Sequence, residues 1–298
     1  MCINIKKVNE ITITDTYPMP LINELLDQVG HAKFFSSLDA FARFHAIPLH
    51  PDSIPKTSFV LQWGQWEYIR MPFGLKNAPA IFQRMMNTIL ASVIGRCAVV
   101  YVDNINVYSN TFEEHLQYLE EIFELIKNAG LRLNTKKCHF GKQKLNFLGF
   151  IVSVEGTHTD PRKVEKVKNF PSPKTSKQAI SFLMLASYYR RFVKDFAKRS
   201  ASIQLTLKKE AKQFFWGPAQ EAAFNDLKKA LTEAPVVIRP DFTRRFILAT
   251  DASGAGLGAV LSQHDDQKRE RVIEYASKAT NKTQSDYDAT QLESLAVI

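Results

Sequence analysis

The sequence predicts two mixed α+β units joined by a basic segment. Short β-rich runs alternate with amphipathic helical patterns in the first half, and a second set of such patterns follows Phe214. Between Pro161 and Lys212 there are 14 Lys/Arg and 3 Asp/Glu, although the whole chain carries only +9. With 298 residues, 45% of them hydrophobic, the chain is long enough for such a division. The predicted boundaries are 1–154, 155–213 and 214–298.

The composition excludes several classes of protein. No apolar run approaches the length of a membrane span, and the N-terminus lacks the apolar core of a signal peptide. Cys2, Cys97 and Cys138 lack the paired spacing of a metal site, which favours reduced thiols. An intracellular protein, cytoplasmic or nuclear and without a membrane partner, is therefore expected.

Three elements are predicted before the middle of the first unit. A helix is expected from Pro20 to Gly30, with proline at its start and glycine at its end. The segment 35–49 is predicted to be a strand that leads into a turn or helix. The segment 72–90 is predicted to begin with a Pro-Phe-Gly turn and to become helical in its second half.

A β-hairpin is predicted around Asp103 and Asn104. Apolar runs at 98–100 and 105–108 flank these two residues, both of which tolerate a positive φ and suit a two-residue loop. Turn formation alone explains their presence. A carboxylate at a hairpin tip can also hold a divalent metal if a second carboxylate lies close to it, and Asp39, after an apolar strand, is the candidate.

An amphipathic helix and a second hairpin complete the first unit. Thr111 and Glu114 have the spacing of a capping box, and Gly130 is predicted to end the helix. Its predicted core stripe is Phe112, Leu116, Leu119, Phe123 and Ile126. Residues 145–150 indicate another small hairpin, and the unit is expected to end near Val154.

Prolines 161, 171 and 173 indicate a connecting region that is followed by one long helix. Thr175 and Gln178 are predicted to cap a helix that runs to about Ala197. Its predicted apolar stripe is Phe182, Leu185, Tyr189, Phe192 and Phe196. The opposite face would carry Arg190, Arg191, Lys194 and Lys198, which favours binding to a phosphate backbone over a merely solvated charged face.

The last unit is predicted to contain a hairpin and a terminal helix. A strand at 246–250 would end at Asp251, its partner would be 256–262, and a helix would run from Ser285 to Ile298. The glycines in 254–258 do not form a dinucleotide-binding motif, because Ala259 occupies a required glycine position.

Several groups of residues occur in a collinear order: Phe35-Ser-Ser-Leu-Asp39, Met71-Pro-Phe-Gly-Leu-Lys-Asn-Ala-Pro-Ala-Ile-Phe-Gln83, Tyr101-Val-Asp-Asn104, Lys137-Cys-His-Phe140 and Phe147-Leu-Gly-Phe150. In this order and spacing they resemble the reverse transcriptase of gypsy-type LTR retrotransposons. The resemblance continues through 181–192, and 250–253 and 258–263 are similar to the start of that family's RNase H domain. Essentially the whole chain is covered.

The resemblance implies a right-hand polymerase with partial fingers, palm and thumb/connection. It implies that Asp39 and Asp103 are catalytic and bind Mg²⁺, with Mn²⁺ as the alternative ion. The other implied site residues are Lys6 at the triphosphate, Phe44 under the incoming sugar, Phe73 and Gly74 beside nucleotide and template, Lys137 at the pyrophosphate, and Phe147, Leu148, Gly149 and Phe150 as the primer grip. Two alternatives remain open, because Phe44 can be a core aromatic and Lys137 a surface lysine.

For the last unit, the resemblance implies a truncated RNase H-like α/β domain. Asp251 and Glu293 match its first two acidic metal ligands, and the further carboxylates of the family would lie beyond Ile298. The implied partners are an RNA template, a DNA primer, an RNA–DNA hybrid and deoxynucleoside triphosphates. The oligomeric state stays open.

The sequence departs from the family at four positions. Asn104 replaces the usual second aspartate of the hairpin, Arg43 a small residue, Met184 a glycine and Lys6 an arginine. Two hypotheses follow: an RNA-directed DNA polymerase, or a catalytically impaired remnant that only binds nucleic acid. The motifs favour polymerase ancestry, whereas Asn104 and the short ends favour the remnant for the activity of this chain.

Overall fold

The computed structural model describes residues 3–29, 32–41, 43–207 and 214–298. The chain divides into two compact units, residues 1–145 and 146–298. The predicted three-part division, 1–154, 155–213 and 214–298, stays a prediction. Within the described ranges, no helix combines the length and apolar character that a membrane span requires.

The first unit is built on a four-stranded antiparallel sheet in the order β4-β5-β1-β6. Strands β2 and β3 form a separate hairpin. The strands are β1 Phe34–Asp39, β2 Phe59–Leu61, β3 Gly64–Trp66, β4 Ala98–Tyr101, β5 Asn104–Ser109 and β6 His139–Lys142. The strand and hairpin predicted at 35–39 and 98–108 are therefore present.

Four α-helices belong to this unit: α1 Lys6–Ile11, α2 Ile22–Gln28, α3 Ala78–Ile89 and α4 Phe112–Asn128. The helix predicted from Pro20 is present as α2, and its predicted end at Gly30 lies outside the described residues. A 3-10 helix follows β1 at Arg43–Ala46, which agrees with the turn or helix expected there.

The core of the first unit lies between α3, α4 and one face of the sheet. Phe82 and Met86 from α3 and Ile122 from α4 are fully buried there against Leu38 and Ile105, which are paired across β1 and β5. Burial of such side chains contributes about 1.5–3 kcal/mol each. Because side chains alternate along a strand, Asp39 and Asn104 lie on the opposite face of the sheet.

The capping box of α4 is confirmed, but its predicted core stripe is only partly right. The Thr111 hydroxyl accepts a hydrogen bond from the Glu114 N–H, and the Glu114 carboxylate accepts one from the Thr111 N–H. The buried positions are His115, Leu119, Ile122 and Ile126, whereas Phe112, Leu116 and Phe123 are exposed. The buried stripe includes the polar residue His115, because Ser36 and Ser109 form hydrogen bonds with its ring. The prediction considered apolar residues alone and therefore placed the stripe incorrectly.

The described residues of the second unit form two three-stranded sheets and six α-helices. The sheets are β7-β8-β9 and β10-β11-β12, and β7 spans the boundary between the units. The strands are β7 Lys144–Phe147, β8 Phe150–Ser153, β9 Gly156–Thr159, β10 Phe246–Ser253, β11 Gly256–His264 and β12 Glu270–Lys278. The helices are α5 Pro161–Lys168, α6 Ser176–Tyr188, α7 Phe196–Thr206, α8 Pro218–Thr232, α9 Lys282–Ser285 and α10 Ala289–Val297.

The prediction of one helix from Thr175 to Ala197 is wrong. Thr175 caps α6 as predicted, but α6 ends at Tyr188, and Asp195, with a φ of 55°, separates a 3-10 turn from α7. A left-handed residue cannot continue a right-handed helix. The aromatic residues of the predicted stripe are nevertheless buried, namely Phe182, Tyr189, Phe192 and Phe196.

Three further boundaries differ from prediction. Pro161 begins α5 rather than a linker, because Asp160 accepts a hydrogen bond from the Arg162 N–H at the helix start. Strand β10 continues past Asp251 to Ser253. The last helix begins at Ala289 rather than Ser285, since Asp288 forms a capping box with Gln291.

Candidate active site

The tip of the β4–β5 hairpin is shifted by one residue from the prediction. Tyr101 pairs with Asn104, so the loop residues are Val102 and Asp103, and Asn104 is the first residue of β5. Val102 has a φ of 51°, as at the first loop position of a type II′ turn, which favours glycine. A β-branched residue in this region stores about 1–3 kcal/mol of strain. The pairing of Tyr101 with Asn104 places Asp103 in the loop at the end of the sheet.

Gln83 of α3 holds this strained turn from behind. Its Oε1 accepts a hydrogen bond from the Val102 N–H at 2.6 Å, and its Nε2 donates to the Val100 carbonyl at 3.1 Å. The side chain is fully buried. Sequence reasoning did not assign Gln83 a role. The available signal was a polar residue on the apolar face of a helix, four positions after Pro79.

Asp39 and Asp103 lie at neighbouring strand ends. Asp39 is the last residue of β1 and pairs with Asn104, and the Ala40 N–H donates to the Asp103 carbonyl at 3.2 Å. A single nitrogen, Nη2 of Arg43, lies 3.8 Å from Asp39 Oδ2 and 2.7 Å from Asp103 Oδ2. The carboxylates are mostly buried, with side chains 13% and 9% exposed. The structure therefore brings the two predicted aspartates together.

Lys137 is a second cation beside Asp39. Lys137 Nζ lies 3.8 Å from Asp39 Oδ2. Lys137 ends a 3-10 turn, and this turn is tied to β1 because the Asn134 N–H donates to the Asp39 carbonyl at 2.8 Å. The lysine side chain is 57% exposed, so it can move between this carboxylate and a bound anion. Its predicted role at the pyrophosphate stays a prediction.

The residues present are compatible with a magnesium site. Oδ2 of Asp103 is buried and accepts no hydrogen bond, because its contact with Arg43 lacks hydrogen-bond geometry. Carboxylate oxygens are the ligands that Mg²⁺ prefers, and one or two of them together with substrate phosphates are a common set. The described residues include no group of three or more His, Cys, Asp or Glu suited to a metal. Asp39 and Asp103 would thus hold the ion with ligands from the substrate.

Phe44, five residues after Asp39, and Phe73 form an aromatic pair. Their ring centroids are 5.4 Å apart, and Phe44 also contacts Phe82 edge-on at 5.8 Å. Phe44 is half-buried against the core, whereas Phe73 is 42% exposed. The core packing agrees with the simpler interpretation of Phe44, and its place under a sugar stays a prediction.

The turn at Gly74 is tied to α1, which begins at Lys6. Gly74 has a φ of 95°, and its carbonyl accepts a hydrogen bond from Asn9 Nδ2 at 2.7 Å. A Cβ at this position would lie 3.2 Å from Cδ1 of Ile5, which is a tight contact, and the positive φ itself favours glycine. Lys6 is exposed. Its contact with a triphosphate stays a prediction.

The predicted primer-grip hairpin is present in the second unit. Leu148 and Gly149 form its loop with φ values of 51° and 84°, as in a type I′ turn. The hydroxyl of Tyr188 donates to the Leu148 carbonyl, and that of Tyr189 to the Gly149 carbonyl at 3.1 Å. Burial raises the pKa of Tyr189 to about 12, so it remains a donor. The nucleic-acid role of Phe147, Leu148 and Gly149 stays a prediction.

The four basic residues predicted on one helix face do not share a face. Arg190 donates to the Ser277 carbonyl, and Arg191 is only 6% exposed. Lys194 and Lys198 are exposed, on either side of Asp195. The single basic face is wrong because the helix breaks at this point, which turns the residues in different directions. Their contact with nucleic acid stays a prediction.

The predicted RNase H-like carboxylates lie on two elements that pack together. Asp251 is in β10, where it pairs with Gly258 of β11, and Glu293 is in α10, which packs against β10. Both residues are exposed. Two carboxylates on a strand and a packed helix can share a cation, and this stays a prediction.

The chain is similar to known proteins along its whole length. Residues 1–152 match the model of the reverse transcriptase (RNA-dependent DNA polymerase) family, and 216–298 match the RNase H-like domain found in reverse transcriptase. The chain is 40% identical to the Pol polyprotein from transposon opus and 38% to that from transposon gypsy, both of Drosophila melanogaster. Each comparison covers all of this chain, but only 31% and 29% of those relatives.

Solved structures are similar in fold. The foamy viral protease-reverse transcriptase in complex with double-stranded DNA matches all of this chain and 52% of its own, with a TM-score of 0.87 and 24% identity. Its complex with RNA/DNA hybrid matches 99% of this chain and 40% of its own, with a TM-score of 0.82 and 23% identity. The predicted fold class, a reverse transcriptase followed by an RNase H-like domain, is confirmed. The chain belongs to the reverse transcriptase family of retrotransposon Pol polyproteins.

Proposed function

We propose that this chain carries an RNA-directed DNA polymerase site that uses Mg²⁺ held by Asp39 and Asp103. The observation that carries the proposal is the convergence of these two mostly buried carboxylates on one cationic nitrogen of Arg43. Two carboxylates that share one cation have the charge and position to hold a divalent ion. Membership of the reverse transcriptase family supports nucleotidyl transfer as the reaction.

The side chains of this site would divide the work between binding and orientation. When bound, Mg²⁺ activates a primer 3′-hydroxyl and neutralises charge on the triphosphate. Asp39 and Asp103 would hold the ion, and the Gln83 hydrogen bonds would keep the turn at Val102 from relaxing. Lys137, already 3.8 Å from Asp39, would move to the departing pyrophosphate and balance its charge.

The proposed substrates are a DNA primer on an RNA template, the RNA–DNA hybrid that results, and deoxynucleoside triphosphates. The foamy viral enzymes of similar fold bind double-stranded DNA and an RNA/DNA hybrid. Phe44 and Phe73 would contact the incoming nucleotide, and Lys6 its triphosphate. In the second unit, Asp251 and Glu293 would be metal ligands of an RNase H-like site, consistent with its family match.

A second candidate is an impaired polymerase that binds nucleic acid without extending a primer. The specific observation is Asn104, which lies opposite Asp39 and places an amide where a further carboxylate would add negative charge. If Asn104 supports a metal ligand only indirectly, the loss of this charge would lower metal affinity or activity about 10–100-fold.

Primer extension on an RNA template in Mg²⁺ tests both candidates. The unmodified chain, Asn104→Asp and Asp103→Ala should be compared at matched concentrations. If the polymerase proposal is right, the unmodified chain extends the primer, and Asn104→Asp extends it about 10–100-fold faster. Asp103→Ala should show a near-complete loss of extension.

Nucleic-acid binding, measured in parallel, separates the candidates. Extension by neither the unmodified chain nor Asn104→Asp, together with salt-dependent hybrid binding, would support the impaired form. Extension that survives Asp103→Ala would remove the proposed metal site. Asp52→Ala, at an exposed carboxylate of the same unit, is the matched control and should leave extension unchanged.

A further inference from the structure

Arg43 has a backbone conformation that its side chain does not favour. Its φ is 40°, at the start of the 3-10 helix Arg43–Ala46. A positive φ is uncommon for a non-glycine residue and persists where surrounding contacts hold it. The contacts at this position are electrostatic, because the guanidinium lies against both site carboxylates. The strained backbone and the ion pairs therefore belong to one arrangement.

The guanidinium lies where the metal ligands converge. Nη2 of Arg43 is 2.7 Å from the buried Oδ2 of Asp103 and 3.8 Å from Oδ2 of Asp39. The arginine side chain is 41% exposed, whereas the two carboxylates are mostly buried. A guanidinium stays charged at all ordinary pH values, and its single positive charge offsets part of the repulsion between the two carboxylates.

We propose that Arg43 is an internal counter-cation that competes with the divalent ion for Asp39 and Asp103. This inference rests on the proposed metal site. The contact with Asp103 is an ion pair without hydrogen-bond geometry, and the Arg43 side chain is partly exposed to solvent. Metal entry would displace the guanidinium, so Arg43 stabilises the metal-free site and weakens its affinity for metal.

Direct measurement of Mn²⁺ binding by electron paramagnetic resonance tests the proposal without any activity. The full chain should be compared with Arg43→Gln, which keeps length and removes charge, and with Arg43→Gly, which also suits the positive φ. Both variants should bind Mn²⁺ about tenfold more tightly, which corresponds to 1.4 kcal/mol. Arg43→Lys, which keeps the charge, should remain within about threefold of the unmodified chain.

Asp103→Ala is the control for Mn²⁺ bound elsewhere, including at Asp251 and Glu293. Thermal unfolding gives a second readout. In EDTA, Arg43→Gln should melt at a lower temperature than the unmodified chain, because two mostly buried carboxylates lose their counter-cation. Added Mn²⁺ should raise the melting temperature of Arg43→Gln by more than it raises that of the unmodified chain. Equal Mn²⁺ affinity in the unmodified chain and both neutral variants overturns the competition. Binding that is the same in Asp103→Ala as in all others overturns the proposed metal site itself.

Discussion

The two pairs of acidic residues in this chain lie in different surroundings. Asp39 and Asp103 in the first unit are mostly buried, share the Arg43 cation, and stand on a turn that Gln83 holds. Asp251 and Glu293 in the second unit are exposed on β10 and α10. Both pairs match acidic positions of family motifs.

The difference shows what a buried site requires. Carboxylates removed from water need a cation, because their mutual repulsion is weakly screened. In the first unit this cation is Arg43, and the polar groups behind the sheet, Gln83 and His115, are hydrogen-bonded in turn. Exposed carboxylates are screened by solvent and need no such support. The proposed metal binding by Asp39 and Asp103 would therefore depend on interior packing.

The largest expected effect is a difference in primer extension between variants of the two acidic pairs. Asp103→Ala should lower primer extension by at least about 10³-fold, because the metal contributes several kcal/mol of charge stabilisation. Asp251→Ala should leave extension within about twofold, since that carboxylate belongs to the other unit. Single-nucleotide extension rates under saturating primer-template measure both. A similar loss in the two variants would contradict the division of roles.

Gln83→Leu tests the support of the first pair. It leaves the Val102 N–H and the buried Val100 carbonyl without these bonds, and it should lower the free energy of unfolding by about 2–3 kcal/mol. Urea denaturation, followed by the fluorescence of Trp63 and Trp66, measures this change. Gln117→Leu on the exposed face of α4 is the control and should stay within about 0.5 kcal/mol. An equal change in the free energy of unfolding in both variants would contradict the role of Gln83 in stabilising the turn at Val102.

Asn106 is a buried polar residue whose side chain, unlike that of Gln83, lacks hydrogen-bond partners among the described residues. It is 1% exposed, and within the described residues neither its Oδ1 nor its Nδ2 has a hydrogen-bond partner. Asn106→Leu should therefore raise the free energy of unfolding by about 1–2 kcal/mol, since a buried unbonded amide is costly. Denaturant midpoints measure the gain, with exposed Asn110→Leu as control. A loss of stability would mean that the amide is satisfied in solution.

His115 gives the smallest effect, as a pH dependence. Burial lowers the pKa of His115 below its ordinary value of 6.5, so below that pH the folded state binds fewer protons than the unfolded state. Stability is therefore full above 6.5 and falls as pH decreases toward the folded pKa. The loss between pH 7 and 5.5 should be about 1 kcal/mol. His115→Gln should flatten this curve, whereas exposed His50→Gln should not.

Much of the fold follows from local patterns. The capping boxes at Thr111 and Asp288, the strand before Asp39 and the hairpin at Leu148 and Gly149 depend on neighbours within a few residues. The Thr111 box and the hairpin were predicted from those neighbours. The Asp288 box was not, and the last helix was placed four residues too early. Local rules therefore work where the relevant residues are recognised.

Errors arose where distant residues decide between local choices. The hairpin loop is Val102-Asp103 rather than Asp103-Asn104, because Asn104 pairs with both Tyr101 and Asp39. His115 joined the buried stripe of α4 because Ser36 and Ser109 bond its ring. Neither partner is evident from the periodicity of the helix or from the turn preference of asparagine.

By itself, the sequence determined the family and a part of the helices and strands, and it predicted the two acidic pairs, because motif order, side-chain period and capping are local or collinear properties. Only the tertiary structure decided that Asp103 stands on a strained turn held by Gln83, and that Arg43 lies against both carboxylates. These contacts depend on strand register and on the burial of charge, which arise when distant segments pack together.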